Sequence, residues 1–168
     1  MSTKAVNINQ LSFFKNLSLK LKDIVELTKL RLSLLVVFSA FMSYLLSVNT
    51  PVIWSNILFL FLGGFLVTAS SNTVNQIIEK DLDKLMTRTQ NRPLPAGRMK
   101  LVEAYIIAGV TGVSGIIILG VYFNAICGLL GALALISYAF IYTPFKRISP
   151  IAVFIGAIPG SIPLLIGY

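Results

Sequence analysis

The sequence predicts an all-α protein, a polytopic transmembrane helical bundle with five spans. Three observations carry this expectation. Of 168 residues, 56% are hydrophobic and only 12% charged, against about 25% charged in soluble domains. Mean hydropathy is +0.85, and the apolar residues gather into five long runs. Inside a bilayer each segment must bond its own backbone polar groups, and runs without strand-like alternation do so only as helices.

The runs are Leu32 to Val48, Ile53 to Ile78, Val102 to Tyr122, Ala125 to Tyr142 and Ile151 to Tyr168, each near the ~20 residues that cross a bilayer. Residues 1–31 are expected to form a cytoplasmic basic and amphipathic segment, and 32–168 the transmembrane domain. In the first segment, Leu11 to Leu27 interleaves Phe13, Phe14, Leu17, Leu21 and Ile24 with lysines, the pattern of a helix lying on a leaflet. Residues 1–10 read equally as a disordered basic tail. The first apolar run has 17 residues, longer than the roughly 7–15 of a signal peptide, and no A-x-A-like site follows it, so it stays as a span.

Charge supplies the orientation. All 14 basic residues precede the first run or lie between runs two and three or four and five. The connections around Asn49-Thr50-Pro51 and at Phe123-Asn124 carry none. The positive-inside rule therefore places the N-terminus and both basic loops in the cytoplasm of a cell inner (plasma) membrane protein, with Tyr44 and Trp54 as interfacial anchors outside. The net charge of +8 is thereby a topology signal and calls for no nucleic acid. Cys127 is alone and within the fourth apolar run, which suits a buried structural thiol. With no histidine in the chain, the commonest metal ligand and general base is missing.

Chemistry concentrates where the second run ends. Asn75, Glu79 and Asp83 stand at i, i+4 and i+8, so on a helix their oxygens form one stripe drifting about 40° per step. Lys80, Lys84 and Arg88 repeat that spacing one residue on, and Asp81 points elsewhere. A solvated helix end with snorkelling lysines is the plain alternative. A solubility face would pair opposite charges at i, i+4, whereas here like meets like, which destabilises by a few tenths of a kcal/mol. A divalent cation relieves the acidic stripe, and an all-oxygen Asn/Glu/Asp set suits Mg²⁺, which keeps positions open for phosphates. The following loop offers Arg88, Arg92 and Arg98 as forked phosphate donors on a turn-rich path set by Pro93, Pro95 and Gly97. Metal and arginines at a membrane surface point to a diphosphate with a lipid tail.

Tyr142 and Lys146, four apart at the same charged level, read equally as diphosphate contacts and as inner-leaflet anchors, with Pro144 disturbing any regular helix through them. Phe61, Phe65, Tyr138 and Phe140 are candidates to face a carbocation, although packing is the commoner role of such aromatics. Gly63-Gly64, Thr68 to Ser71, and Gly128 with Gly131 suit close helix approach and carry no chemistry.

The pattern N-Q-x-x-E-x-x-x-D-x-x-M-x-R-T-x-x-R-P-L (Asn75 to Leu94) resembles the first Asp-rich motif of the UbiA-type intramembrane prenyltransferases. Gln76 and Glu79, T-K-L-R at Thr28 to Arg31 with Leu30 in place of a proline, and G-A-I-P-G-S-I-P-L-L-I-G-Y at Gly156 to Tyr168 are similar to the haem-prenylating branch. The resemblance implies a nine-helix fold of which these are five spans, a second Asp-rich motif beyond residue 168, and an N-terminal fragment inactive by itself. It implies transfer of a farnesyl group from farnesyl diphosphate to a vinyl group of protohaem IX. In that reading Asn75, Glu79 and Asp83 are catalytic and hold Mg²⁺, and Arg31, Lys84, Arg88, Arg92, Tyr142, Lys146 and Arg147 bind the diphosphate. A quinone-type aromatic acceptor is the alternative within the superfamily. A cation-coupled transporter is disfavoured, because its charges belong near the midplane at broken helices.

Overall fold

A computed structural model describes the backbone of residues 3–49 and 51–168, and side chains from Phe14 onward. The side chains of Lys4, Leu11 and Phe13, and Thr50 altogether, lie outside what is described. Among the described residues every regular element is a helix: α1 (Thr3–Leu27), α2 (Leu30–Ser47), α3 (Trp54–Asp83), α4 (Leu101–Tyr122), α5 (Ala125–Ile136), α6 (Thr143–Phe145) and α7 (Ala152–Gly167). A π-helical turn, Ser137–Tyr142, joins α5 to α6.

Four of the five expected spans meet the length and hydropathy of a membrane crossing: α2, α3, α4 and the continuous segment Ala125–Phe145. The fifth does not. Helix α7 is apolar but has 16 residues, about 24 Å of rise against roughly 30 Å of hydrocarbon. Conversely, the 30 residues of α3 rise about 45 Å. A crossing of ~20 residues counted from Trp54 ends near Thr73, so Asn75, Glu79 and Asp83 fall in about the last two and a half turns, at the charged end of the bundle.

Small residues set the packing. A Cβ on Gly115 of α4 would stand 2.8 Å from the Val67 backbone nitrogen of α3, and one on Gly63 2.9 Å from Leu119. Between α4 and α5, Gly128 meets Gly120 at 3.0 Å by the same measure. Ser70 Oγ donates to the Ala108 carbonyl at 2.7 Å, so a polar group in the contact is satisfied across it. Gly63, Gly128 and Ser70 thus act in packing, and Gly112, Gly115 and Gly120 supply the opposing surface; Thr68 and Ser71 of the same run bond back to carbonyls of their own helix. One apolar core joins Ala40, Leu60, Val67, Leu119, Cys127, Ile162 and Ile166. A second, at the charged end, joins Leu27, Ile77, Leu94, Met99 and Ala104.

The π-helical turn has a cause in Pro144. Proline lacks an N–H and its ring crowds the carbonyl four residues back. The helix responds by widening: the Thr143 N–H bonds the Tyr138 carbonyl five residues back, and Thr143 Oγ1 donates to that oxygen at 2.9 Å. Beyond the turn, Lys146 and Arg147 face α3.

Candidate active site

The charged end is organised around a polar stretch of α3 that is buried on nearly all sides, Ser70 to Gln76. Asn72 Nδ2 donates to the Thr28 carbonyl at 3.3 Å and to Ser33 Oγ at 3.2 Å. Gln76 Nε2 donates to the Leu27 carbonyl at 2.8 Å and the Glu26 carbonyl at 3.2 Å. The bond to Leu27 satisfies a carbonyl left open where α1 stops, and together these bonds pin the elbow between α1 and α2 against α3. At the elbow Lys29 takes a left-handed conformation, φ 49° and ψ 57°, at a cost of about 1–2 kcal/mol for a residue with a Cβ. That turn delivers its Nζ to Asn75 Oδ1 at 3.0 Å.

Lys29, Asn75, Glu79, Asp83, Arg88, Arg92, Lys146 and Arg147 line a single recess of about 690 Å³. The expected stripe is therefore one surface, and each oxygen donor in it already has a basic neighbour. Glu79 Oε2 accepts from Lys146 Nζ at 2.9 Å and from Asn75 Nδ2 at 3.0 Å, with Arg147 3.6 Å from Oε1. Asp83, 4% exposed, accepts from Arg92 Nη1 at 2.7 Å. Asn75 Nδ2 also donates to Thr143 Oγ1 at 3.1 Å, which ties the stripe to the widened turn. Five basic side chains against two acids leave three surplus positive charges, an arrangement complementary to a phosphoanion.

Other predicted residues land elsewhere. Arg31 is exposed and lines a separate apolar hollow with Leu34, Leu35, Phe38 and Phe61. Lys84 is exposed and pairs with Asp81 at 3.6 Å. The expected basic stripe of Lys80, Lys84 and Arg88 is broken because α3 ends at Asp83, where Thr89 Oγ1 takes the Asp83 carbonyl at 3.0 Å; past that point the chain curls and Arg88 enters the recess. Arg98 is not at the recess at all. Its Nε and Nη2 reach Asp23 and Glu26 of α1, each at 2.8 Å, and its Nη1 donates to the Asn91 carbonyl at 2.6 Å. The hydrogen bond to Asp23 holds the Arg98 guanidinium above its ordinary pKa. Gly97, at φ 70°, supplies the left-handed turn that sends Arg98 back to α1. Lys29 was missed as a site residue, although T-K-L-R had marked its neighbourhood.

Beside the recess, and sharing Leu32 with it, lies a mostly apolar chamber of about 400 Å³ between α2, α3, the π-helical turn and α7. Val36, Val67, Ala134, Pro159 and Pro163 wall it, with Thr68, Ser71 and Asn72 along one side. Tyr138 and Tyr142 also line it, their rings stacked 5.4 Å apart. Lys146 Nζ stands 5.7 Å from the Tyr142 ring centre, so Tyr142 separates chamber from recess. A Cβ on Gly156 would fall 2.8 Å from that ring; the first glycine of the G-A-I-P-G-S segment makes room for it. Of the four aromatics proposed to face a cation, only Tyr138 lines the chamber. Phe61 packs on Phe41 at 5.5 Å and Phe140 is 59% exposed.

The donors suit Mg²⁺ in kind: two carboxylates and an amide carbonyl, all hard oxygens. In number they are fewer than a protein-only cage requires. No group of three or more His, Cys, Asp or Glu comes together among the described residues. Such a set matches a metal bound by a few protein oxygens and completed by phosphates and water.

Residues 36–168 match the family model described as UbiA prenyltransferase family. Curated relatives include the protoheme IX farnesyltransferase of Cytophaga hutchinsonii, 46% identical over 143 residues that cover 85% of this chain and 50% of that protein. The protein of the same name from Christiangramia forsetii is 45% identical, covering 88% of this chain and 49% of that one. The mitochondrial form of Arabidopsis thaliana is 38% identical, over 85% of this chain and 33% of that protein. The chain thus spans about half the length of its bacterial relatives. Among solved structures, a chain from work on digeranylgeranylglyceryl phosphate synthase in membranes superposes with a TM-score of 0.80 at 24% identity, covering 88% of this chain and 52% of that one; it shares the fold.

Proposed function

The chain belongs to the UbiA prenyltransferase family, and on that premise we propose that the full-length protein transfers a farnesyl group from farnesyl diphosphate to a vinyl group of protohaem IX, giving haem O. The observation that carries this reading is the adjacency, across Leu32, of a recess with surplus positive charge and an apolar chamber. One suits a diphosphate and the other an isoprenoid tail. The names of the relatives support the acceptor.

In this reading Arg88 and Arg92 fork onto phosphate oxygens, while Lys29, Lys146 and Arg147 supply point charges. Asn75, Glu79 and Asp83 hold Mg²⁺, which when bound supplies Lewis-acid stabilisation of the departing diphosphate. Lys146 and Arg92, paired with Glu79 and Asp83, stand where they would also meet phosphate oxygens. The C1–O bond ionises and its electron pair leaves with the diphosphate, whose developing charge meets cations already in position. The chamber walls keep water from the allylic cation, and the Tyr138 and Tyr142 rings offer it their faces. The vinyl π electrons then form the new C–C bond to C1, and the cation left on the carbon next to the porphyrin ring is captured by water, which releases a proton to solvent, so that the product carries a hydroxyl group. Residues 32–168 belong to the membrane domain of a multi-pass membrane protein, and the charge asymmetry supports a cytoplasmic position for residues 1–31 and the recess.

Mass spectrometry of porphyrins from cells with and without the full-length gene tests the proposal. A gene-dependent porphyrin carrying a farnesyl unit is expected. An unchanged porphyrin profile beside a gene-dependent prenylated quinone would refute the haem acceptor.

A further inference from the structure

Helix α1 carries an exposed apolar stripe that the chemistry above does not use. Leu17, Leu21 and Val25 are 44%, 55% and 46% exposed, and at about 100° per residue they fall within about 40° of one line. Lys20 and Lys22 flank that line at about 100° on either side, and Lys15 stands near Lys22.

Two sets of contacts fix how α1 is laid. The Leu27 carbonyl is held by Gln76 of α3, and Lys20 pairs with Glu103 in the first turn of α4 at 2.9 Å. Seven residues, about 10 Å of helix, therefore bridge two neighbours whose axes lie roughly 8–10 Å apart. Helix α1 runs across the ends of α3 and α4. Its rotation follows from what each side meets. Ile24 lines a groove together with Asp23, Arg98, Met99 and, from α4, Ile106 and Ile107; the last two lie about 9 Å along α4 from its start, toward the membrane. Asp23 and Glu26 turn to Arg98, in the loop beyond the helix ends. Leu21 lies about 60–100° from Ile24 and Lys20 but about 140–160° from Glu26 and Asp23. The stripe thus faces the same way as the apolar spans and opposite the loop.

We propose that α1 lies in the interface of an anionic leaflet, with Leu17, Leu21 and Val25 among acyl chains and Lys15 and Lys22 in the headgroup layer. The elbow of Thr28 and Lys29 leads directly into the span α2, which keeps α1 within reach of the same bilayer. Charge selects the lipid: both acids of α1 are engaged by Arg98, leaving Lys15 and Lys22 as the charges beside the stripe. A second copy would bring these like charges together over three aliphatic side chains, which disfavours it.

Nitroxide labels on Leu17→Cys, Leu21→Cys, Val25→Cys and Lys22→Cys, in full-length protein with Cys127→Ala, test this in nanodiscs containing phosphatidylglycerol. Collision with oxygen should be favoured over an aqueous nickel chelate at 17, 21 and 25, and the preference should reverse at 22. Nickel access at 21 equal to that at 22 would overturn the proposal. Dipolar broadening at 21 that disappears on dilution with unlabelled protein would assign the stripe to a second copy instead. In phosphatidylcholine alone the oxygen preference at 21 should weaken; an unchanged value would overturn the choice of an anionic lipid.

Discussion

Raising the pH from 7 to 9.5 should weaken binding of a prenyl diphosphate through one amine, that of Lys29. Burial first, and then the nearby charges of Arg92 and Lys146, push its pKa from 10.5 down to about 8, and Glu79 and Asp83 only partly offset them. The difference corresponds to about 3 kcal/mol against the ammonium form. A phosphoanion entering the recess brings opposite charge and favours that form again, so binding near pH 8 takes up a proton. Isothermal titration calorimetry of the full-length protein in two buffers of different ionisation enthalpy reads this uptake directly. Lys29→Met should bind more weakly at pH 7 and lose the pH slope. Stability moves the opposite way. Between pH 8 and 10.5 the Lys29 amine is more protonated in the unfolded chain than in the folded one, so its contribution to stability should rise with pH across that window, by up to about 3 kcal/mol. Lys29→Met should lose this rise, and Lys29→Gly should lose it and be more stable, since it also relieves the left-handed backbone. The same pH slope in Lys29→Met as in the parent would refute the reasoning.

Glu79→Gln and Asp83→Asn should abolish turnover without preventing membrane insertion, whereas Asp81→Asn, whose side chain is 76% exposed, should be mild; equal losses at 81 and 83 would remove the stripe's meaning. Arg98→Ala leaves the buried Asp23 without its donor, at about 1–3 kcal/mol, and should raise hydrogen exchange across residues 84–100; unchanged protection there would show that the clamp does not hold the loop. Gly115→Ala, which meets the Val67 backbone nitrogen at 2.8 Å, should cost about 1–3 kcal/mol through overpacking. Gly109→Ala, with nothing within 4 Å, should be neutral or stabilise by up to about 1 kcal/mol; similar melting losses for the two would refute the close approach.

The apolar runs located the long helices because burial in lipid is a property of composition, readable residue by residue. Asn75, Glu79 and Asp83 were legible as a unit because one uninterrupted helix carries them. Spacing failed where its premise did. Lys80, Lys84 and Arg88 share a stripe only if the helix continues, and it stops at Asp83. Lys29 reaches Asn75 from 46 residues away, a contact set by how Asn72 and Gln76 hold the elbow, which no local period encodes. Arg98 carries the same charge as Arg92 in the same loop, yet Gly97 turns it to α1. Charge alone could not divide the loop's arginines into those at the recess and the one that anchors it.

The π-helical turn before Pro144 has a consequence for how the recess tolerates change. Each of its hydrogen-bonded rings closes over five residues rather than four, so everything after Tyr142 is phased one residue ahead, about 100° around the axis. Lys146 and Arg147 meet Glu79 in that phase. Pro144→Ala, by letting the same residues run on as α, would turn both side chains about 100° away from Glu79 even with every side chain at the recess intact. Ring size over six residues acts here as a setting in its own right: deleting one residue from the turn would convert its five-residue rings to four-residue ones and preserve the phase, whereas relieving the proline would change it.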